Sequence, residues 1–385
     1  MQNKIYDIMC NPFNIKPYNA GDTFCGREKE IERLISNIRS GIDTTLISDR
    51  KLGKTGLIYR LIEEIESKHK DISPIYVDLF TTENMADFTN ELAESILIKY
   101  PEKTSFGKKF INFLKSMKPQ LSFDSITGEP QVEIGYSNNT EKEYTLKSLL
   151  KYLESQDTHI LIAFDEFQQI RGYEEKNMEA FLRTYIQTLH NINFIFCGSK
   201  KHLMTDIFTN PQKPFYQSTQ FMALDKLPED EYAAFIVKMF ARGKKEISAE
   251  AIQMIFSWTR RHTYYTQALC HTIYDMKTKK IDIDTVKSAC AYTLEINESY
   301  FLQYRQLLTD SQWNFLIAVA KEDEVSKPTA TEFLAKHKIG ASSTALRILN
   351  SLLEKDLLIS VITPYETSYL VADVFLSRWL ARTYR

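Results

Sequence analysis

The chain has 385 residues, with 48 basic against 50 acidic side chains and 12% aromatics. That length allows two or three domains with sizeable cores, and sparse Gly and Pro with no low-complexity tract mark a globular, largely helical protein. The near-neutral charge, with a pI of about 6.4, argues against a protein held to nucleic acid or an anionic membrane by bulk charge.

Residues 11–30 are proline-punctuated and then enter an amphipathic helix at about Glu28, with Ile31, Leu34, Ile35 and Ile38 on one face. The lead-in has two readings: a segment folded over a nucleotide base, or an arm packed on a sheet edge. The stretch Thr44 to Leu57, TTLISDRKLGKTGL, reads as a buried strand, a phosphate-binding loop and a helix starting near Lys54. Ser48, Asp49, Arg50, Lys51, Leu52, Gly53, Lys54 and Thr55 follow the spacing G-x-x-x-x-G-K-[ST], with Ser48 in place of the first glycine. In such a loop, backbone N–H groups from Ser48 through Gly56 face the phosphates of ATP, Lys54 reaches the β/γ-phosphates and Thr55 holds Mg²⁺. Gly53 keeps a Cβ out of the ligand's way, and Ser48 fits only with a backbone conformation open to L-residues. An ordinary strand-turn-helix with a surface GKT is the competing reading.

A second buried strand is expected over Pro74 to Phe80 and a helix over Met85 to Tyr100, followed by a β-hairpin insertion at about 119–137 around Thr127-Gly128-Glu129-Pro130. His159 to Glu166, HILIAFDE, is an apolar strand ending in two acids. Asp165 is expected to coordinate Mg²⁺ through water and Glu166 to activate the hydrolytic water. The strand Asn193 to Ser199 ends in a polar residue that sits between the loop and Asp165 if this strand is inserted between theirs. Ser199 then senses the γ-phosphate, or else caps the helix starting near Lys200. A last strand, Thr219 to Leu224, completes an alternating series that implies a parallel sheet with ligands at the carboxyl ends of its strands.

Residues 228–305 read as helices without strands, among them Asp230 to Arg242 and Ala249 to Arg260. Arg260 or Arg261 either reaches a phosphate from this lid or is simply solvated. From 306 to 385, three helices, two short strands around Pro364 and a closing helix give the pattern of a winged helix-turn-helix. Between Asp310 and Arg385 there are nine basic and nine acidic residues, no surplus for phosphate binding, so DNA and a protein remain alternative partners.

Cys10, Cys25, Cys197, Cys270 and Cys290 lack C-x-x-C spacing and the seven histidines form no cluster, so neither a disulfide framework nor a structural metal is expected. The N-terminus lacks the zones of a signal peptide, and no apolar run approaches the ~20 residues of a membrane span. A cytoplasmic location, with no membrane association, follows by elimination.

Taken together, NPF…PY…FCGRE, ISDRKLGKT, IAFDEF, FCGSKKHLM…PFYQS, RRHTYYTQALC and the terminal winged helix resemble the archaeal-type ATPases, P-loop NTPases near the AAA+ and STAND classes. The resemblance implies an α/β P-loop core over 1–227, a helical lid over 228–305 and a winged helix domain over 306–385. It implies that Lys54 and Thr55 bind phosphate and Mg²⁺, that Asp165 and Glu166 form the Walker B pair, that Ser199 is at the sensor position, and that Gly26 and Arg27 lie near the base. Family members frequently carry an arginine where this chain has Lys200 and Lys201, so an arginine finger from there is missing. Hydrolysis is then slow, or waits for an arginine from elsewhere; a homo-oligomer remains open as a further partner state. The function expected is a Mg²⁺-dependent ATPase whose nucleotide, held between core and lid, fixes the angle of the winged helix. The alternative is a DNA-binding regulator with a structural nucleotide.

Overall fold

Five apolar segments pair into one parallel sheet in the computed structural model, which describes residues 11–13, 15, 24–117 and 119–384. The described chain falls into two units, one within 17–226 and the other joining 227–384 to 11–13 and 15.

The elements of the first unit are α1 (Glu28–Arg39), β1 (Thr44–Ile47), α2 (Lys54–Lys68), β2 (Ile72–Asp78), α3 (Met85–Lys99), α4 (Ser105–Lys115), β3 (Pro119–Phe123), β4 (Pro130–Ile134), α5 (Asn139–Glu154), β5 (His159–Asp165), α6 (Met178–Ile186), β6 (Ile192–Gly198), α7 (Lys201–Thr209) and β7 (Gln220–Ala223). The strand order is β2-β5-β6-β1-β7, and every neighbouring pair is parallel. Parallel neighbours need a crossover between them, so helices cover both faces and the central strands β1, β5 and β6 are buried almost throughout. The side-chain period of two is visible in β5, where Ile160, Ile162 and Phe164 join one core layer while Leu161 and Ala163 join the other. On the second layer, α2 buries Leu57, Ile58, Leu61 and Ile65, each worth about 1.5–3 kcal/mol of burial.

Strand β2 begins two residues before the expected segment and ends two before it. Asp78 Oδ1 accepts the N–H of Phe80 at 3.0 Å, which turns the chain, and Phe80 is 62% exposed. Pro74 is tolerated because β2 lies at the sheet edge. The hairpin β3–β4 forms its own antiparallel sheet and leans on α3, where Glu94 Oε1 accepts the N–H of Val132 at 2.7 Å.

In the second unit, the stretch expected to be purely helical contains a two-residue parallel pair, Glu246–Ile247 with Lys280–Ile281. Helix Ala249–Trp258 stops short of Arg260, because Arg260 and Arg261 take left-handed φ values of 54° and 50°. Helices Asp310–Glu322, Thr331–Lys336 and Ser342–Glu354, the hairpin Leu358–Ile362/Thr367–Val371 and helix Val374–Thr383 make the winged helix domain. Its core is continuous with that of the preceding helices: Tyr265, Ala268, Leu294 and Phe301 share one apolar cluster with Trp313, Leu316, Phe375 and Trp379.

Of the N-terminal lead-in, Asn11 and Phe13 pack within the second unit and not on an edge of the main sheet. Phe13 is buried against Phe240, with ring centroids 4.7 Å apart, and Tyr274, at 6.0 Å. Asn11 Nδ2 donates to His271 O at 2.9 Å, and the His271 Nδ1–H donates to Phe13 O at 2.8 Å. The remaining lead-in, residues 14 and 16–23, lies outside the described residues, as does Cys10. Cys197, Cys270 and Cys290 are free, buried thiols. Among the described residues no helix is long and apolar enough to cross a membrane.

Candidate nucleotide site

The loop between β1 and α2 presents a helix N-terminus at the carboxyl edge of the sheet. No side chain caps α2, so the N–H groups of its first turn, Lys54, Thr55 and Gly56, have no intrahelical acceptor. Gly53 precedes it at φ 106°, a conformation that favours glycine, and a Cβ there would meet nothing within 4 Å of the protein itself. The glycine is therefore set by backbone shape within this chain, and close approach concerns only a ligand. Ser48 keeps a negative φ, which satisfies the condition on replacing the first glycine. Its hydroxyl donates to Asp49 O at 3.0 Å. Leu52 is buried beneath the loop, Arg50 and Lys51 are exposed, and Lys51 has φ 60°.

β6 is inserted between β1 and β5, which brings the loop, the two acids and Ser199 to one edge. Asp165 is buried and fully supplied with donors. Oδ1 accepts from Lys54 Nζ at 2.5 Å and from the Glu166 N–H at 2.9 Å, while Oδ2 accepts from Thr55 Oγ1 at 2.8 Å and Tyr76 OH at 3.1 Å. Burial opposes both charges of the Lys54–Asp165 pair, but their mutual attraction and hydrogen bonds outweigh it. The Asp165 carboxyl is thus held below its usual range and the Lys54 ammonium above its own. Glu166 takes a left-handed φ of 52°, a backbone strain that turns its carboxylate toward the loop, with Oε1 3.4 Å from Lys54 Nζ.

Ser199 Oγ donates to Glu166 Oε2 at 2.8 Å, and the residue that stands at the N-cap of α7 is Lys200. Lys201 pairs with Asp49 at 2.9 Å, tying α7 to the loop. Gly26 and Arg27 both have positive φ, and the Arg27 guanidinium is committed to Asp225 O at 2.6 Å and Glu30 Oε1 at 2.8 Å. Three residues not singled out from the sequence complete the site: Tyr76 on Asp165, Gln168 donating to Glu166, and Gly198 beside Gln168. The one available signal was the amide pair Gln168-Gln169 directly after the acids.

Arg260 is not solvated in this structure. It is largely buried and donates to Asp323 Oδ1 at 2.6 Å, Val371 O at 2.9 Å and Ser377 Oγ at 3.0 Å, so it fastens the helical segment to the winged helix. Arg378 completes the node, at 3.1 Å from Asp323 Oδ1. Arg261 pairs with Glu229 at 2.5 Å.

A parallel sheet with this inserted strand, a GKT loop and a terminal winged helix is the fold of a P-loop ATPase. The chain belongs to the family described as "ATPase domain predominantly from Archaea", whose model matches residues 24–265. A second model, "Probable winged helix domain", matches residues 299–382. Among solved structures, the Walker-type ATPase PABY2304 of Pyrococcus abyssi is similar at 17% identity and TM-score 0.66, over 96% of this chain and 99% of that one. The ORC2 protein of Aeropyrum pernix, in ADPNP–ADP complexes, is similar at 15% identity and TM-score 0.59, over 97% and 96%. The ORC1 protein of the same organism, in complex with DNA, is similar at 12% identity and TM-score 0.53, over 97% and 96%. No curated protein matches the chain.

Proposed function

We propose that the protein is a Mg²⁺-dependent ATPase acting as a nucleotide-controlled switch for its winged helix domain, with an ATPase core to residue 227, a helical lid over 228–305 and the winged helix over 306–385. The observation that carries this reading is the convergence of Lys54, Thr55, Asp165, Glu166 and Ser199 at the ends of three adjacent strands. In it the loop N–H groups and Lys54 bind the phosphates, and Gly26 and Arg27 lie beside the base. Among the described residues no group of three or more His, Cys, Asp or Glu could hold a metal on its own. The hard oxygens of Thr55 and Asp165, 2.8 Å apart, fit Mg²⁺, an ion that binds through one or two protein ligands plus substrate phosphates. Bound there, Mg²⁺ supplies charge neutralisation on the phosphate oxygens.

Glu166 accepts the proton of the attacking water, and Ser199 orients that carboxylate. Without an arginine at Lys200 or Lys201, turnover is slow or waits on an arginine from another copy. The test is ATP turnover of wild type and Glu166→Gln, with calorimetry of Mg-nucleotide on both. Equal turnover in the two rejects the role of Glu166, and a calorimetric blank at millimolar nucleotide rejects the reading.

One observation favours a DNA-binding regulator with a poorly hydrolysed nucleotide: Ser343, Arg347 and Asn350 line an open groove on helix Ser342–Glu354. The hairpin behind it, from Leu357 to Val371, contains neither Lys nor Arg, which weighs toward a protein partner. Salt-dependent duplex binding that Arg347→Ala weakens supports the DNA reading, and no binding at low salt removes it.

A further inference from the structure

We infer that Gln168 is a positioning residue for Glu166, kept in place by the absence of a side chain at Gly198; the inference rests on the ATPase reading above. Gln168 is 4% exposed, and its Nε2 donates to Glu166 Oε2, the same oxygen that receives Ser199 Oγ at 2.8 Å. Gln168 Oε1 is buried and has no hydrogen-bond partner. Reversing the amide would set its oxygen against the Glu166 carboxylate, so the donor orientation is the one chemistry permits. An apolar side chain would fill the same space without an unmet acceptor, and what glutamine adds is the donor to Glu166.

Gly198 makes room for it. A Cβ on Gly198 would fall well inside contact distance of Gln168 Oε1 and of Met204 Cγ. The segment carrying Gln168, the 3-10 helix Phe167–Gly172, is anchored by Phe167, which is buried with its ring 4.6 Å from that of Phe196 and 5.7 Å from that of Phe215. Gln168 and Ser199 thus hold Oε2 from two sides, leaving Oε1, the oxygen nearer Lys54, as the atom that takes the proton from water.

The test compares Gln168→Met, which keeps the volume but loses the donor, with Gly198→Ala, which displaces the amide. For both, kcat for ATP is expected to fall about ten- to a hundred-fold, the scale of a hydrogen bond to a charged group, with KM and calorimetric nucleotide affinity within about twofold of wild type. Unchanged kcat in Gln168→Met overturns the inference, as does a fall in kcat matched by an equal loss of nucleotide affinity. Should Gln168→Met fail to fold, the kcat-only loss in Gly198→Ala carries the test, and wild-type kcat there overturns it. A wild type without turnover sinks the ATPase reading itself, whereas an active wild type with an indifferent Gln168→Met sinks only this inference.

Discussion

Lys54 Nζ lies 2.5 Å from Asp165 Oδ1, and both side chains are almost wholly buried. Lys54, which the proposed function assigns to phosphate, thus neutralises the carboxylate beneath it in this structure. Lys54→Ala is expected to abolish nucleotide binding and, in the nucleotide-free protein, to cost about 3–5 kcal/mol by leaving a buried charge uncompensated. Three donors to Asp165 remain, which favours the lower end. Because the folded Asp165 pKa is depressed, the pair's contribution is present above the unfolded value near 3.8 and lost as pH falls through the folded one. Melting curves should therefore show the deficit shrinking on strong acidification.

Glu166→Gln should retain Mg-nucleotide affinity while turnover drops about 10²–10⁴-fold, the usual range for removing a general base. Parallel calorimetry and phosphate release check this. Loss of affinity together with rate would place Glu166 in binding instead.

Asp43, at the opposite end of the sheet from the loop, has its pKa pushed up to about 6 by burial, although it accepts the Phe194 N–H at 2.8 Å. Its folded pKa exceeds the unfolded value, so its contribution is most favourable below about pH 4 and is lost as pH rises through 6. Asp43→Asn keeps an acceptor for Phe194 and removes the buried charge. It should raise stability by about 2 kcal/mol at pH 8, with no gain near pH 4, as read from thermal midpoints across that range.

Arg260→Ala should destabilise the second unit by about 2 kcal/mol, a figure kept low because Asp323 is half exposed. Arg260→Lys should recover only part of it, since an ammonium cannot replace a fork that serves Asp323, Val371 O and Ser377 together. Nucleotide affinity unchanged in Arg260→Ala would separate this role from phosphate binding.

The loop and the acid pair were legible in the sequence because their chemistry is local. Ser48 to Thr55 and Phe164 to Glu166 are contiguous, and the strands that carry them are buried almost throughout. Ser199 has two readings in the sequence because only the insertion of β6 between β1 and β5 brings it to Glu166. Arg260 was unreadable for a similar reason: its partner Asp323 is 63 residues away, and nothing periodic marks two consecutive left-handed residues. Gln168 carries no spacing signal, since Gly198, where a Cβ would strike its amide, lies on β6 and far along the chain. The strands Glu246–Ile247 and Lys280–Ile281 are too short to show alternation.

Phe13 seated between Phe240 and Tyr274 makes the second unit discontinuous in sequence. A fragment starting at Leu227 would be born without its plug and would expose a greasy socket lined by those two rings. Fusions, tags or protease nicks near the amino terminus would then be felt first in helices more than two hundred positions downstream, and a synthetic peptide bearing Asn-Pro-Phe should restore such a fragment in trans.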